Sequence, residues 1–466
     1  MNMLLIYNAH LVDKYIDKKG SLLLDGKKIK AILSQKETNE ILKLLSGKSF
    51  PQTVKKNFLL SEEDLLALET YDAHGQTVMP SFVDMHAHFR DPGFTQKEDI
   101  ESGCHAATAG GYGTVVLMPN TKPVISSLQQ AEENVSKAAT LNLVRIIQSA
   151  SITKNFDGQD VSHIKTLDEK KIPLITEDGH EVESAAVMLE GMKSAAQKKI
   201  IVSCHCEDPL LAEQAKPFRK QALSLLNATN SHSTKKEAIL LLTKANKLLD
   251  AAEDIATLRN IRLAEEAGCH LHLCHVSTAV CIEAVRIAKK RGDNITCEIT
   301  PHHLGLSGNS SPTIFEIVNP PLRSDIDRRA LIQALVDGTA DTISTDHAPH
   351  TAADKAAGSP GFSGLETAFA VCNTVLVKGI NNCYGKTITL SKLSALMSRN
   401  AAEILGLEKT GLLAQDYEAN LVIVDTNKKW KVRGAQFESK GKYSPFEGKS
   451  LVGKVTATFF NGKKVF

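Results

Sequence analysis

Four histidines and two aspartates in this chain each follow a short apolar segment, the position at which a buried strand would end. His86 and His88 are separated by one residue. In an extended segment such positions point to the same side, so both imidazoles can reach one ion. Neutral imidazole and carboxylate oxygen are ligands that Zn²⁺ and similar divalent ions prefer. The pattern therefore predicts a metal site whose other members are Asp178, His205, His275 and Asp346.

Each member of this set has an ordinary alternative interpretation. An HxH pair is common in proteins that bind no metal, and a single histidine after a strand is more often a capping or surface residue than a ligand. The run Cys204-His205-Cys206 could also bind a metal, but one CxC pair without a second pair is weak support. Six such residues at the ends of successive strands are difficult to explain without a metal, and we therefore favour the metal site.

The middle of the chain supplies the elements that must position these residues. Its apolar segments predict eight strands: Ser81–Met85, Gly113–Met118, Val144–Gln148, Pro173–Thr176, Ile200–Ser203, His270–Cys274, Ile295–Ile299 and Thr342–Thr345. Amphipathic segments between them predict helices: Gln129–Thr140, Glu183–Gln197, Ile255–Ala267, Ala279–Arg291 and Arg328–Asp337. Eight β–α units in series favour an α/β fold, a (β/α)8 TIM-like barrel, whose active site lies at the carboxyl ends of the strands.

The two chain ends have a different pattern. Short strand-like segments lie at residues 4–7, 21–24 and 29–32, and again at 419–424 and 453–460, with turn residues between them. We therefore predict a small β-sandwich domain formed by residues 1–79 and 409–466 beside a barrel of residues 80–408. Two insertions, at about 36–70 and 209–250, are predicted to be helical and to serve as surface decoration or a partner contact.

Composition and charge exclude several classes of protein. The 55 Lys+Arg residues nearly balance the 53 Asp+Glu residues, and no block of like charge occurs, so a nucleic-acid binder is not expected. The chain has no basic leader and no run of about 18–20 apolar residues, so neither a signal peptide nor a membrane span is expected. The nine cysteines are odd in number and lie mostly in apolar segments, which predicts reduced core thiols in a cytoplasmic protein.

Three motifs carry a resemblance to a known family. The chain has HxHxRDPG at His86–Gly93, MPNT at Met118–Thr121 and DHAPH at Asp346–His350. With these motifs it resembles the dihydroorotases (class I bacterial type) of the amidohydrolase superfamily, from about Leu4 to the C-terminus apart from the two insertions. The resemblance implies the reversible, metal-dependent cyclisation of N-carbamoyl-L-aspartate to dihydroorotate and water in pyrimidine synthesis.

The resemblance also implies the ligand set and the catalytic residue. It assigns His86, His88 and Asp346 to one metal, His205 and His275 to a second, and Asp178 to a bridging position. One or two Zn²⁺ ions per chain are expected, and two ions that share a water lower its pKa. Asp346 is expected to act first as the base and then as the acid.

The substrate-binding residues follow from the same motifs. Arg90, Asn120 and His350 are expected to bind the substrate carboxylate, Asn319 to contact the ring, and the backbone near Pro360 and Gly361 to complete the site. A planar guanidinium suits a carboxylate because it donates two parallel hydrogen bonds. From position alone, Arg90 could equally pair with Asp91, and Asn120 and Asn319 could be cap or turn residues.

Two points about the site stay open in the sequence. Glu177 stands where bacterial dihydroorotases with a bridging aspartate have the first residue of Asp-Asp-Gly, and Asp178 matches the second. If the local register shifts, Glu177 becomes the ligand instead. His302 and His303 could support a ligand or be core residues, and we leave both out of the site.

Other functions are compatible with parts of this pattern. Hydantoinases, dihydropyrimidinases and allantoinases share the chemistry, but the set Arg90, Asn120 and His350 favours a substrate with the carboxylate of dihydroorotate. A catalytically silent scaffold for aspartate transcarbamoylase would lose metal ligands, and this chain has all six. A homodimer and an association with aspartate transcarbamoylase are both compatible with the resemblance.

Overall fold

The strands belong to a central barrel and to a sheet built from the two chain ends. The structure is a computed structural model that describes residues 3–45, 67–228, 232–308 and 316–466. In chain order the strands of these ranges are β1 (Met3–Val12), β2 (Asp17–Asp25), β3 (Lys28–Leu33), β4 (Leu68–Asp72), β5 (Thr77–Pro80), β6 (Phe82–Ala87), β7 (Tyr112–Leu117), β8 (Arg145–Gln148), β9 (Leu174–Thr176), β10 (Ile201–Cys204), β11 (Leu271–Leu273), β12 (Ile295–Ile299), β13 (Thr342–Ile343), β14 (Leu421–Lys431), β15 (Ser450–Phe460) and β16 (Lys463–Lys464).

The α-helices of the same ranges mostly lie between the barrel strands. They are α1 (Gln35–Leu45), α2 (Ile100–Ala109), α3 (Leu128–Leu141), α4 (Ala185–Lys198), α5 (Pro209–Ala228), α6 (His232–Ala267), α7 (Ala279–Arg291), α8 (Pro301–Gly305), α9 (Asp325–Asp337), α10 (Ala352–Ala356), α11 (Leu365–Cys372), α12 (Leu390–Ser394) and α13 (Asn400–Ile404). Hydroxyl side chains cap the N-termini of several of them, as Thr278 does for α7 and Ser324 for α9, by accepting a hydrogen bond from an otherwise unpaired backbone N–H.

Strands β6 to β13 form a closed parallel barrel. β6, β7 and β8 pair in parallel, and β9 to β13 form a second parallel series. Parallel bridges between Ala150 and Ile175 and between Ala87 and His347 join the two series on both sides and so close the ring. This confirms the predicted (β/α)8 barrel. Nearly all residues of these strands are buried, because helices cover one face of the barrel wall and interior side chains fill the other.

The two chain ends meet in one separate sheet, which confirms the small β domain formed by both ends. The strands follow the order β16-β15-β14-β5-β1-β2-β3, and β4 also pairs with β1. β5 pairs with β1 on one side and with β14 on the other, so it links the N-terminal and C-terminal strands directly. Since only Ser81 separates β5 from the first barrel strand, this sheet anchors the start of the barrel.

The two insertions differ from each other in structure. Residues 209–250 are helical as predicted, in α5 and the first half of α6, apart from 229–231, which lie outside the described residues. The first insertion begins as helix α1, but the prediction of helix to residue 70 is wrong at its end, since 68–70 belong to β4. Those residues pair in parallel with β1, and this tertiary pairing outweighs local preference. Residues 46–66 lie outside the described residues.

Two further predictions concern cysteines and membrane spans. All nine cysteines are free thiols, and all but Cys383 are buried, as expected for reduced core residues. Among the helices of the described ranges, none combines the length and the apolar character that crossing a membrane requires.

Candidate metal centre and substrate cavity

Six side chains converge at the mouth of the barrel, where the strands that carry them end. His86 is the second-to-last residue of strand β6. The other five residues follow the ends of strands β6, β9, β10, β11 and β13 within a few positions: His88, Asp178, His205, His275 and Asp346. All six are buried. The structure therefore brings together the whole predicted ligand set, because the carboxyl ends of parallel barrel strands meet at one rim.

The Asp178 carboxylate lies among all four histidines. Its Oδ1 atom is 3.3 Å from His86 Nε2, 3.6 Å from His205 Nδ1 and 3.9 Å from His275 Nε2, and its Oδ2 atom is 3.5 Å from His88 Nε2. Asp346 Oδ1 is 3.1 Å from His88 Nε2 and 3.6 Å from His86 Nε2. In a tetrahedral zinc site with bonds of about 2.0–2.1 Å, ligand atoms lie about 3.3 Å apart. The observed separations, 3.1–3.9 Å, include that value and are mostly somewhat longer.

Unpaired buried atoms test whether these residues fit a metal ion. His86 Nε2 and Asp178 Oδ1 are both buried, and neither has a hydrogen-bond partner among the described residues. Leaving a buried polar atom unpaired costs about 1–3 kcal/mol. A cation between them would satisfy both atoms. Within the predicted set of six residues, two groups of three donors are compact enough to hold one: His86, His88 and Asp346, and His86, Asp178 and His275. The donor set therefore fits divalent metal ions.

The structure places Asp178, and not Glu177, among the histidines. The Glu177 carboxylate points away and accepts hydrogen bonds from the backbone N–H groups of Ile152 and Thr153 at 3.0 and 2.9 Å. The Thr153 hydroxyl also donates to it. Both Glu177 oxygens thus accept hydrogen bonds from the neighbouring loop. The alternative register, in which Glu177 would replace Asp178 among the histidines, is not observed.

Glu298 was not identified from the sequence. Its carboxylate is hydrogen-bonded to two of the predicted ligand residues, His86 and His275, and orients them. Its Oε1 atom lies 2.9 Å from His86 Nδ1 and accepts a 3.2 Å hydrogen bond from the His275 backbone N–H. Its Oε2 atom lies 3.2 Å from His272 Nε2. A carboxylate that accepts the Nδ1–H of a ligating histidine fixes its tautomer and leaves Nε2 free for the metal. A buried glutamate inside an apolar strand, β12, was the signal that could have revealed it.

Charge at the centre is balanced between carboxylates and imidazoles. Burial alone would raise the pKa of Asp178 and Asp346, but the neighbouring histidines hold the pKa of both carboxyls well below its usual range. Burial, together with the nearby His205 and His86, lowers the pKa of His275 to about 3. At neutral pH both aspartates are therefore ionised and His275 is a neutral imidazole, the forms in which these groups ligate metals.

The backbone is strained where it presents three of the functional side chains. Arg90, His275 and Asp346 have φ values of 60°, 33° and 49°, in the left-handed region that residues with a Cβ rarely adopt. Such residues cost about 1–3 kcal/mol each and persist only where the surroundings enforce them. Their concentration at this rim indicates that the fold imposes the side-chain directions there.

A cavity of about 260 Å³ opens beside the six-residue centre. Its lining includes every residue predicted to bind substrate: Arg90, Asn120, Asn319, His350, Pro360 and Gly361. Gly361 has a φ of 116°, and a Cβ there would lie 2.7 Å from Ala348 Cβ and 2.8 Å from Ala348 O. Only glycine therefore allows the chain to pass this close to the cavity wall.

Arg90 and His350 form one side of the cavity. Arg90 Nη2 lies 3.4 Å from His350 Nε2, and Arg90 Nε is buried without a hydrogen-bond partner in the described part of the chain. Burial and the adjacent Arg90 cation lower the pKa of His350 to about 3, so its imidazole is neutral. Asp91 pairs instead with Lys137, at 3.2 Å. The alternative pairing of Arg90 with Asp91 is therefore not observed, and the guanidinium keeps donors for a ligand.

The two asparagines contact the ligand set and do not serve as caps. Asn120 Nδ2 donates to Asp178 Oδ2 at 3.0 Å, and its Oδ1 lies 3.0 Å from His88 Nδ1. Asn319 Nδ2 donates to Glu207 Oε2 at 2.8 Å and lies 3.1 Å from His205 Nε2. Both side chains thus link the centre to the cavity.

His302 and His303, which were not assigned to the site, are both buried. His303 contacts the Thr300 hydroxyl at 2.7 Å and the Pro321 carbonyl at 3.2 Å, which is a supporting role in the core. His302 is buried against Phe362, with ring centroids 5.0 Å apart.

Comparisons with known proteins agree with this geometry. Residues 77–465 match the model of the amidohydrolase family. The chain is 38% identical over 461 residues to the dihydroorotase of Clostridium botulinum (strain Eklund 17B / Type B), covering 99% of this chain and 98% of that protein. It is 34% identical to the dihydroorotase of Lactobacillus johnsonii, covering 98% of this chain and 96% of that protein.

Solved structures show the same fold at lower identity. The L-hydantoinase (dihydropyrimidinase) from Arthrobacter aurescens superposes with a TM-score of 0.80 at 23% identity, covering 100% of this chain and 96% of that one. The dihydropyrimidinase from Brevibacillus agri NCHU1002 superposes with a TM-score of 0.75 at 19% identity, covering 99% and 95%. The family match over most of the chain and the near full-length identity to curated relatives lead to one conclusion: the chain belongs to the amidohydrolase family.

Proposed function

We propose that this chain is a dihydroorotase, a cyclic amide hydrolase that interconverts N-carbamoyl-L-aspartate and dihydroorotate in pyrimidine synthesis. The observation that carries the proposal is the juxtaposition of a metal-ligand set with the half-buried guanidinium of Arg90 in one cavity. The near full-length identity to proteins named dihydroorotase supports it. The solved hydantoinases support the barrel only, since their identity to this chain is 19–23%.

The residues present would hold one or two Zn²⁺ ions. His86, His88 and Asp346 would surround one position, His205 and His275 the other, and Asp178 lies between them. Bound zinc would act as a Lewis acid on the amide carbonyl and lower the pKa of a bound water. Asn120 and Glu298 keep the ligand side chains oriented through the hydrogen bonds described above, which limits the reorganisation needed for binding.

Asp346 is placed to move the proton that hydrolysis requires. It is ionised at neutral pH, lies at the cavity and has the strained backbone that directs it inwards. In the hydrolytic direction it would take a proton from the attacking water, whose oxygen bonds to the amide carbon. As the ring C–N bond breaks, the same carboxyl would deliver that proton to the nitrogen. The reverse sequence closes the ring and releases water.

The Arg90 side of the cavity gives the substrate its orientation. A carboxylate on the ring can accept two parallel hydrogen bonds from the guanidinium. The neutral His350 imidazole adds no charge of its own, so Arg90 supplies the positive charge there. Hydantoin lacks this carboxylate, which is why the arrangement favours dihydroorotate.

Replacing Arg90 by methionine tests the carboxylate assignment. Hydrogen bonds to charged groups contribute about 1.5–3 kcal/mol, so we expect KM for N-carbamoyl-L-aspartate to rise by about 10- to 100-fold. Initial rates over a range of substrate concentrations measure the change. Lys137→Met is the matched control, because Lys137 is 54% exposed and pairs with Asp91 outside the cavity. An unchanged KM in Arg90→Met would contradict the assignment.

Removal of metal should abolish the reaction reversibly. We expect turnover of N-carbamoyl-L-aspartate and of dihydroorotate to disappear after treatment with a chelator and to return on addition of Zn²⁺. The same assay with hydantoin and allantoin decides between the related activities. Preferred turnover of either of those compounds would overturn the dihydroorotase proposal, and full activity without metal would overturn the metal centre.

Assembly is a separate prediction. A homodimer and an association with aspartate transcarbamoylase were expected from the resemblance, and both stay predictions. Size-exclusion chromatography of the purified chain, alone and mixed with aspartate transcarbamoylase, measures the mass of each species.

A further inference from the structure

Two loops at the substrate cavity are held by side chains that lie outside it. We define the Asn319 loop as residues 316–322 and the Pro360 loop as residues 356–361. The first carries Asn319 and the second carries Pro360 and Gly361, which all line the cavity. The Gly361 N–H donates to the Ile317 carbonyl at 3.0 Å, so the two loops also contact each other.

Lys355 lies between the two loops and is bonded to both. Its side chain is fully buried, and its Nζ atom donates to three carbonyl oxygens, those of Ile317 at 3.2 Å, Ser359 at 2.9 Å and Gly361 at 2.8 Å. An ammonium group has three N–H donors, so these contacts use its full capacity. Because a buried cation is costly unless it is well hydrogen-bonded, this arrangement depends on the loops keeping their positions.

Helix α5 of the second insertion also contacts both loops. Arg219 Nη2 donates to the Val318 carbonyl at 2.8 Å, next to Asn319, and Asn227 Nδ2 donates to the Ala356 carbonyl at 3.1 Å. Leu223 of the same helix packs so closely on Gly358 that a Cβ there would lie 2.1 Å from Leu223 Cδ1. Successive turns of α5 therefore contact first one loop and then the other.

We propose that Lys355 and helix α5, the first half of the second insertion, are positioning elements for substrate recognition. They act through the Asn319 loop and the Pro360 loop and touch neither the reacting atoms nor the metal ligands. Loss of their hydrogen bonds should misplace Asn319 and the Pro360–Gly361 backbone while the centre stays intact. This inference rests on the proposed function only for the identity of the substrate.

Kinetics of two methionine variants test the proposal. Lys355→Met and Arg219→Met keep an unbranched side chain but remove the donors, and Lys220→Met, at an exposed position of the same helix, is the control. We expect KM for N-carbamoyl-L-aspartate and for dihydroorotate to rise at least about ten-fold in Lys355→Met, and less in Arg219→Met, which loses one of these carbonyl contacts. kcat and zinc content per chain should stay within about two- to three-fold of the unsubstituted protein. KM unchanged in both variants, or zinc lost in parallel with activity, would overturn the proposal.

Amide hydrogen exchange tests the same inference independently of activity. We expect faster exchange in residues 316–322 and 356–361 of both variants, and no change in the barrel strands or in Lys220→Met. Unchanged exchange in the two loops would overturn the positioning role even if the protein acted on a different substrate. Absence of dihydroorotate turnover in the unsubstituted protein, with faster loop exchange in the variants, would instead overturn the proposed function alone. If Lys355→Met does not fold, Arg219→Met, which alters only an outer helix, decides the outcome.

Discussion

Asp178→Asn is expected to lose the reaction almost completely and to bind zinc more than about 100-fold more weakly. The Asp178 carboxylate lies within 3.3–3.9 Å of all four histidines, so its charge would serve both proposed metal positions. A metal ion bound there would contribute several kcal/mol to catalysis, and each 1.36 kcal/mol is a factor of ten, so turnover should fall by about 1,000-fold or more. Elemental analysis and initial rates on the same sample measure both effects.

Glu177→Gln is the matched control for that variant. It makes the same acid-to-amide change one residue earlier, where the side chain accepts hydrogen bonds from Ile152 and Thr153. The amide oxygen can still accept both backbone bonds, and the amide NH2 can donate to the Thr153 hydroxyl, so zinc content and turnover should stay near those of the unsubstituted protein. Zinc loss in Glu177→Gln together with normal zinc in Asp178→Asn would reverse the assignment of the bridging residue.

Asp346→Asn should reduce kcat by about 100- to 10,000-fold, the usual contribution of a positioned acid–base group. The amide keeps the size of the side chain but cannot take up a proton. Because Asp178, His205 and His275 are unaltered, we expect zinc to stay bound at the second position. Steady-state rates in both directions, with zinc measured in parallel, separate a lost proton carrier from a lost metal.

The control for Asp346→Asn is Asp337→Asn at the end of helix α9, where the carboxylate is 37% exposed and pairs with Arg286. That variant should retain normal kcat in both directions. If Asp346→Asn kept kcat within ten-fold of the unsubstituted protein while retaining zinc, another group would have to carry the proton.

The pattern of apolar and polar residues in the sequence was sufficient to predict the barrel. It predicted the wrong secondary structure at the end of the first insertion. Strands such as β7 are rich in apolar and β-branched residues and lie between turn residues, here Gly111 and Pro119. The helix Ala279–Arg291 has a hydroxyl cap at one end and Gly292 at the other. Such signals lie within one segment and do not depend on which other segment of the chain packs against it. Only Leu68 of the β4 strand is buried, so its pairing with β1 had no such signal.

The types and spacing of the ligand residues were determined by the sequence itself, as were the motifs that relate the chain to dihydroorotases. The tertiary structure decided which of two adjacent acids faces the histidines, that Glu298 orients His86, and that α5 reaches the cavity loops. These outcomes depend on contacts between residues far apart in the chain, such as His86 with Glu298 and Arg219 with Val318. Local sequence fixes periodicity and caps, whereas side-chain direction at the rim is set by barrel closure and by backbone conformations that only the surrounding packing enforces.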